Sequence, residues 1–343
     1  MMRRHSCAGC LIRLLFALLA LAALAAGIAF YSVARPYQGF HQPVILDFPK
    51  GTSTGSMATQ LAQAGVIHYS WEFLMARALQ PKARLLAGEY QFSQPASVFT
   101  VFDRIARGDV FFYELTVPEG SNIFDIASSI DRFDFMKGAD FLRIARDPSP
   151  IRDLAPDAPT LEGYLFPSTY RIERSTTVKQ LSRMMTDLFR KHWRELQPDH
   201  PTRQVNGTVN SIVTLASLVE KETAVPAERS VVASVYANRL RINMPLDCDP
   251  TTIYAALLEG RYRGAIYRSD LDNQNPYNTY RHAGLPPGPI ANPGLASLKA
   301  ALAPGESSYL YFVAKPDGSG SHQFSETIDQ HNRAVEQYRK RAK

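Results

Sequence analysis

The sequence predicts an α+β protein built from an N-terminal transmembrane helix, a small α+β subdomain and a larger mixed α/β domain. Three observations predict it. Leu14 to Ala34 run for 21 residues without a charge. A strand, a Pro/Gly turn and an amphipathic helix follow one another twice, at Val44–Ile67 and again at Glu114–Ile130. Helical and strand patterns then alternate to the C-terminus. With 343 residues, 45% hydrophobic and 20% charged, the chain is long and apolar enough for a packed core, which excludes collagen, coiled-coil and disordered classes. Lys and Arg outnumber Asp and Glu by 38 to 32, and no polybasic block interrupts the body, so the charge carries no nucleic-acid signature. Of Cys7, Cys10 and Cys248 only the last lies beyond the N-terminal segment. No disulfide within the main body can form, and the core must stand alone.

As a helix the apolar run spans about 31 Å, the thickness of a bilayer core. Arg3, Arg4 and Arg13 precede it and Arg35 follows, which favours residues 1–13 as a cytoplasmic tail, 14–34 as the span and everything later as exported. A cleaved signal peptide is the alternative, through the small residues Ala22 to Gly27; apolar residues continuing to Ala34 favour a retained anchor. Cys7 and Cys10 form a Cys-x-x-Cys with no second ligand pair nearby and read as incidental thiols. Residues 36–43, with Pro36 and Pro43, read as a stalk. Next come the strand VILDF, ended by Pro49 and Gly51, and a helix over Ser56–Ile67 with Met57, Leu61, Ala64 and Ile67 at helical spacing. A helix at Trp71–Leu79, a strand at Gly88–Phe92 and a helix at Val98–Ala106 closed by Gly108 complete a module over residues 44–115. Its size and order are similar to LysM domains, which bind N-acetylglucosamine polymers; a rigid spacer satisfies the same pattern.

Residues 116–343 form the second domain. Asp131–Pro159 reads as short helices in a charged, Pro-rich loop region. In LEGYLFPSTYRI the aromatics Tyr164, Phe166 and Tyr170 suit a core strand better than a sugar-stacking wall. Val178–Trp193 is a long amphipathic helix. Helices over Ser211–Thr223 and Ala227–Leu240 follow, separated by Pro226. In the first of these, Glu222 lies seven, four and three residues beyond Leu215, Leu218 and Val219 and so continues their apolar stripe, whereas Glu220 is offset by about 200°. Burial against apolar side chains raises a carboxyl pKa, as a general acid needs. The alternative for Glu222 is an ordinary ion pair with Arg229 or Arg239.

Asp247 and Asp249 lie in the next turn, around Cys248, an unpaired thiol that reads as buried filler without chemistry. The run from Asn273 to Leu302 concentrates Asn, Tyr, Gly and Pro, a composition suited to a binding loop, with Asn278, Tyr280 and Asn292 able to hydrogen-bond sugar hydroxyl and acetamido groups. Tyr309–Ala314 reads as a buried strand, His322 as a candidate site residue, and Glu326–Lys340 as a terminal helix. Metal-ligand spacing, Walker and dinucleotide motifs and the Gly-x-Ser-x-Gly elbow are all missing, so the reading includes neither metal nor cofactor.

The runs LEGYLFPSTY, ASLVEKETAVPAERSVVASVYANRLRINMPLDCDPTTIYA, NPYNTYRHAGLPPGPIANPGLASLKAAL and YLYFVAKPDGSGSHQFS resemble the YceG-like (MltG) family of endolytic murein transglycosylases. The resemblance implies that Glu222, the second Glu of Glu-Lys-Glu-Thr, is the catalytic acid/base. Glu220, Asp249, Tyr254, Asn278, Tyr280 and Asn292 then become candidate substrate-binding residues. It also implies an inner-membrane anchor, a LysM-like subdomain, nascent peptidoglycan as substrate, and cell-wall synthases as candidate partners. A peptidoglycan hydrolase with Asp247 or Asp249 as base and a non-catalytic anchored glycan scaffold are the competing readings.

Overall fold

The computed structural model describes residues 7–196, 207–223 and 225–341. The chain divides into two compact units, Met1–Tyr113 with Ile172–Ser175, and Glu114–Arg171 with Thr176–Lys343.

The first unit opens with α1 (Cys7–Ala34), of which Ile12–Ala34 is long and apolar enough to cross a membrane. From Leu14 to Leu24 its leucines stand exposed, but near its end Val33 is fully buried in the core of this unit. Residues 36–43 are no free stalk. The Tyr37 and Ala96 backbones exchange hydrogen bonds, and the Gly39 N–H donates to Gly65. Strand β1 (Val44–Phe48) leads to α2 (Thr54–Gln63) and α3 (Ser70–Leu79), and β2 (Gly88–Phe92) returns antiparallel to β1 with Val44 opposite Phe92. Helix α2 ends at Gln63, four residues before the expected limit, because Gly65 turns left-handed at φ 70°; Ile67 stays buried beyond the turn. In α4 (Val98–Arg107) the Ser97 hydroxyl caps the Thr100 N–H, Gly108 closes the end, and Val98, Val101, Phe102 and Ile105 form one buried stripe.

In the second unit β3 (Tyr113–Thr116) pairs with β4 (Thr169–Ile172). Between them α5 (Ile123–Ile130) starts on a reciprocal cap: Asn122 accepts from the Phe124 and Asp125 N–H groups, and Asp125 accepts from the Asn122 N–H. Asp131–Pro159 is ordered around α6 (Gly138–Ala145) and a short turn of helix, with Phe141 and Ile151 fully buried. Tyr164, Phe166 and Tyr170 are core residues. Tyr164 meets Phe189 edge-on at 5.1 Å, and Phe189 stacks on Trp193 along α7 (Val178–Leu196).

The centre of this unit is α8 (Val209–Glu222), capped at Thr208 and buried on every side from Ile212 to Val219. Around it lie α9 (Arg229–Arg241), α10 (Asp249–Leu258), the short α11 (Arg268–Leu271) and α12 (Leu295–Leu302). Each fully buried Leu, Ile or Val of such a helix contributes about 1.5–3 kcal/mol relative to exposure. Strands β5 (Tyr311–Ala314) and β6 (His322–Ser325) form an antiparallel hairpin, followed by α13 (Ile328–Arg341). The expected buried strand is therefore a half-buried, two-stranded one, with Phe312 meeting Tyr236 of α9 edge-on.

Candidate functional site

Helix α8 stops at Glu222 because Thr223 turns to extended backbone and Val225, also extended, precedes Pro226. Glu222 thus occupies the last helical position, where the unpaired carbonyl ends of the helix disfavour a negative charge. Its carboxyl is pushed above the usual range, first by burial. Asp249 adds to the rise; hydrogen bonds from Cys248 and Tyr236 and the charge of His322 oppose it. Among the described residues no Lys or Arg is ion-paired with Glu222. A carboxyl whose pKa is raised, without a cation to favour its ionised form, is equipped to give up a proton and take it back.

The Cys248 thiol is one of its polar neighbours: Sγ donates to Oε1 at 3.1 Å. Cys248 is 1% exposed, and its backbone is held on both sides: the N–H donates to the Thr279 hydroxyl at 3.0 Å, and the carbonyl accepts from Thr251 at 2.6 Å. The turn before it is held by Arg239, which donates to the Pro245 and Leu246 carbonyls, and Asp247 takes a left-handed φ of 47°. Tyr236, fully buried on α9, lies beside both the thiol and the carboxyl. His322 Nδ1 sits 2.8 Å from Glu228 Oε2, and that carboxylate also accepts the His322 N–H.

The two carboxylates of α8 differ in their partners, not in burial. The Glu220 side chain is only 6% exposed; it pairs with Arg229 at 3.4 Å and accepts the Gly294 N–H at 2.9 Å. Glu220 therefore ties α8 to α9 and to the start of α12, and its hydrogen-bonding capacity goes to the protein. Of the remaining candidates, Asp249 and Tyr280 are exposed and joined, the phenol donating to the carboxylate at 2.7 Å.

Three others are turned inward. Asn278 is fully buried: its amide donates to the Asp270, Leu271 and Asn273 carbonyls while its oxygen accepts the Tyr280 N–H. Asn292, also fully buried, accepts from the Gly163 and Leu165 N–H groups and donates to the Ser121 carbonyl and Glu162 Oε1. Tyr254 is 2% exposed, packed against Phe124 and Tyr277 and hydrogen-bonded to Glu162. Instead of facing a sugar, these side chains satisfy internal groups that water cannot reach.

Sequence reasoning took Cys248 as filler without chemistry and gave no role to Tyr236 or Glu162. Glu162 is fully buried, accepts the Ile123 N–H at 2.9 Å, and has its pKa pushed up to about 8 by desolvation. A lone carboxylate in the apolar run Leu161–Phe166 was its available signal. Gly163 beside it has φ 88°, and a Cβ there would strike Pro289. Nothing local in the sequence marks Cys248 or Tyr236 as neighbours of Glu222.

The YceG-like family profile matches residues 46–337. A Bacillus subtilis (strain 168) protein named endolytic murein transglycosylase is 31% identical over 311 residues, covering 86% of this chain and 84% of that protein. A Streptococcus pneumoniae serotype 2 protein of the same name is 29% identical over 324 residues, and this chain spans only 58% of its length. The crystal structure of a YceG-like protein from Listeria monocytogenes superposes with a TM-score of 0.57 at 32% identity, covering 85% of this chain and 99% of that one.

Proposed function

The chain belongs to the YceG-like family, and on that premise we propose that it is a membrane-anchored endolytic murein transglycosylase. It cleaves the glycosidic bond between N-acetylmuramic acid and N-acetylglucosamine within nascent glycan strands. The observation that carries this reading is the Glu222 carboxyl, withdrawn from solvent at the end of the helix central to its unit and ion-paired with no Lys or Arg among the described residues. A hydrolase recruits two carboxylates, one of them to activate water. A lytic transglycosylase needs one, because the C6 hydroxyl of the muramic acid is an intramolecular nucleophile. Glu222 protonates the glycosidic oxygen as the C1–O bond breaks. The resulting carboxylate takes the proton from the C6 hydroxyl as that oxygen bonds to C1, so Glu222 ends protonated and the strand ends in 1,6-anhydro-N-acetylmuramic acid. This chemistry uses no cofactor.

Asp249 and Tyr280, exposed and hydrogen-bonded to each other next to Cys248, are the surviving candidates for contact with glycan. The first unit, whose β1–α2–α3–β2 order is similar to a LysM fold, serves to place the enzyme on glycan without taking part in the chemistry. Helix α1 anchors the chain with the N-terminus in the cytoplasm and the second unit outside it, supported by its length and by Arg3, Arg4, Arg13 and Arg35. Cell-wall synthases are the proposed partners there. Mass spectrometry of murein digested by the purified protein tests the proposal. Internal anhydro ends, lighter by one water than reducing ends, are expected; reducing ends would replace it by a hydrolase, and intact strands by a non-catalytic scaffold.

A further inference from the structure

We propose that Cys248 is a positioning residue for Glu222: its S–H, donated to Oε1, leaves Oε2 as the oxygen that carries the transferable proton. The inference rests on the acid/base reading of Glu222 above. A thiol is a weak donor with one hydrogen, so at 3.1 Å from Oε1 it can serve only one oxygen of the carboxyl. An oxygen that accepts a hydrogen bond in the neutral acid is the carbonyl-like one, and the proton resides on the other. The thiol has little freedom to turn away. It is 1% exposed, the Thr279 hydroxyl and Thr251 fix its backbone, and Arg239 holds the preceding turn. Tyr236 lies beside both partners on α9, hydrogen-bonded to the carboxyl as well as to the sulfur.

This arrangement also suits the second half of the reaction. Burial and Asp249 favour the protonated form of Glu222, while the thiol and phenol are donors that stabilise the carboxylate formed after proton transfer. From each element packed around it, the titratable groups facing Glu222 are Tyr236 on α9, Cys248 before α10, Asp249 on α10 and His322 on β6. Of these, only Cys248 donates to Oε1 at a defined distance.

The free enzyme is active with Glu222 protonated, so kcat/KM falls on the alkaline side as Glu222 ionises. Removing a donor that favours the ionised form raises the Glu222 pKa, and Cys248→Ala should move this alkaline limb upward by about half to one pH unit. It should also lower kcat by roughly tenfold at the optimum, with KM little changed, as expected when the acid is no longer aimed. Cys248→Ser restores a donor and should bring back both limb and turnover. A purely structural thiol predicts the opposite pattern: lower melting temperatures for Ala, with the limb in place for both variants.

A second measurement needs neither turnover nor substrate. In full-length protein in detergent micelles, with Cys7→Ser and Cys10→Ser removing the other thiols, the infrared S–H stretch of Cys248 should shift in one step as Glu222 titrates. Glu222→Gln should abolish that step. A band indifferent to pH, together with an unmoved limb in Cys248→Ala, overturns the proposal. A titrating band in a protein that yields no anhydro product would support the coupling of thiol and carboxyl and overturn the functional reading instead.

Discussion

Glu220 and Glu222 lie two residues apart on one helix, and the structure predicts that neutralising each will fail in a different way. Glu220→Gln removes half of an ion pair whose side chains are only 6% and 12% exposed, leaving the Arg229 guanidinium buried without its counter-charge. Breaking a buried pair from one side costs about 3–5 kcal/mol. Arg229 keeps its bond to the Ser297 hydroxyl at 3.1 Å, which places the expected loss at the lower end, about 3 kcal/mol. For a unit of this size that is a fall in melting temperature of roughly 6–12 °C. Glu222→Gln exchanges a carboxyl whose protonated form burial favours, with no Lys or Arg partner to orphan, for an amide of the same shape. Its melting temperature should stay within roughly 4 °C of wild type. Turnover should reverse the order: Glu222→Gln loses about 10²- to 10⁴-fold, the contribution of general acid/base catalysis, whereas Glu220→Gln assayed well below its melting point keeps most of its rate. Circular dichroism melts and the rate of anhydro-muropeptide release give both readings on the same preparations. A folded Glu220→Gln that is inactive beside a Glu222→Gln of near wild-type rate would refute the assignment of roles.

Asn292→Ala should act on stability rather than on substrate affinity. It orphans the Gly163 and Leu165 N–H groups and withdraws a donor from Glu162 Oε1, while the Ser121 carbonyl keeps the backbone N–H of residue 292, so a loss of about 3 kcal/mol is expected in urea unfolding. An unchanged unfolding midpoint with a raised KM would return Asn292 to the glycan site. Glu162 makes stability depend on pH. Its folded pKa of about 8 lies above the ordinary 4.5, so the folded state keeps a proton that the unfolded chain releases. Its contribution is full below about pH 4.5 and is lost progressively as pH rises to about 8, with a slope of at most about 1.4 kcal/mol per pH unit. Comparing unfolding at pH 5 and pH 8, Glu162→Gln should lose less stability than wild type; equal losses would mean that Glu162 is ionised in the fold.

Local signals were legible wherever a segment presents one face to a core and caps its own ends. The buried stripes of α4 and α5, the strand at Gly88–Phe92 and the turn at Gly108 follow from period, cap and glycine alone. Helix α8 shows the limit of the same rule. It is buried all round, so periodicity distinguishes its directions without telling which carboxylate is desolvated: both Glu220 and Glu222 leave solvent. What separates them is a cation from α9 for one and a thiol from the turn before α10 for the other, contacts that no helical repeat encodes.

The amide-rich run after Asn273 misled for a related reason. Its composition suits a ligand, but a buried segment that forms little regular structure has backbone groups that no ladder satisfies, and side-chain amides are the short-range means of satisfying them. Asn278 gathers three carbonyls of its own loop, and Asn292 bridges two N–H groups and a carbonyl from segments more than a hundred residues earlier. Exposure separates the two uses of the same residue types. Tyr280 and Asp249 keep accessible surface and bond to each other, so they can trade that bond for one to a sugar hydroxyl; a fully buried Asn would first have to strand the groups it serves. Specificity for glycan should therefore reside with the exposed pair, and the conformation of the loop with the buried amides.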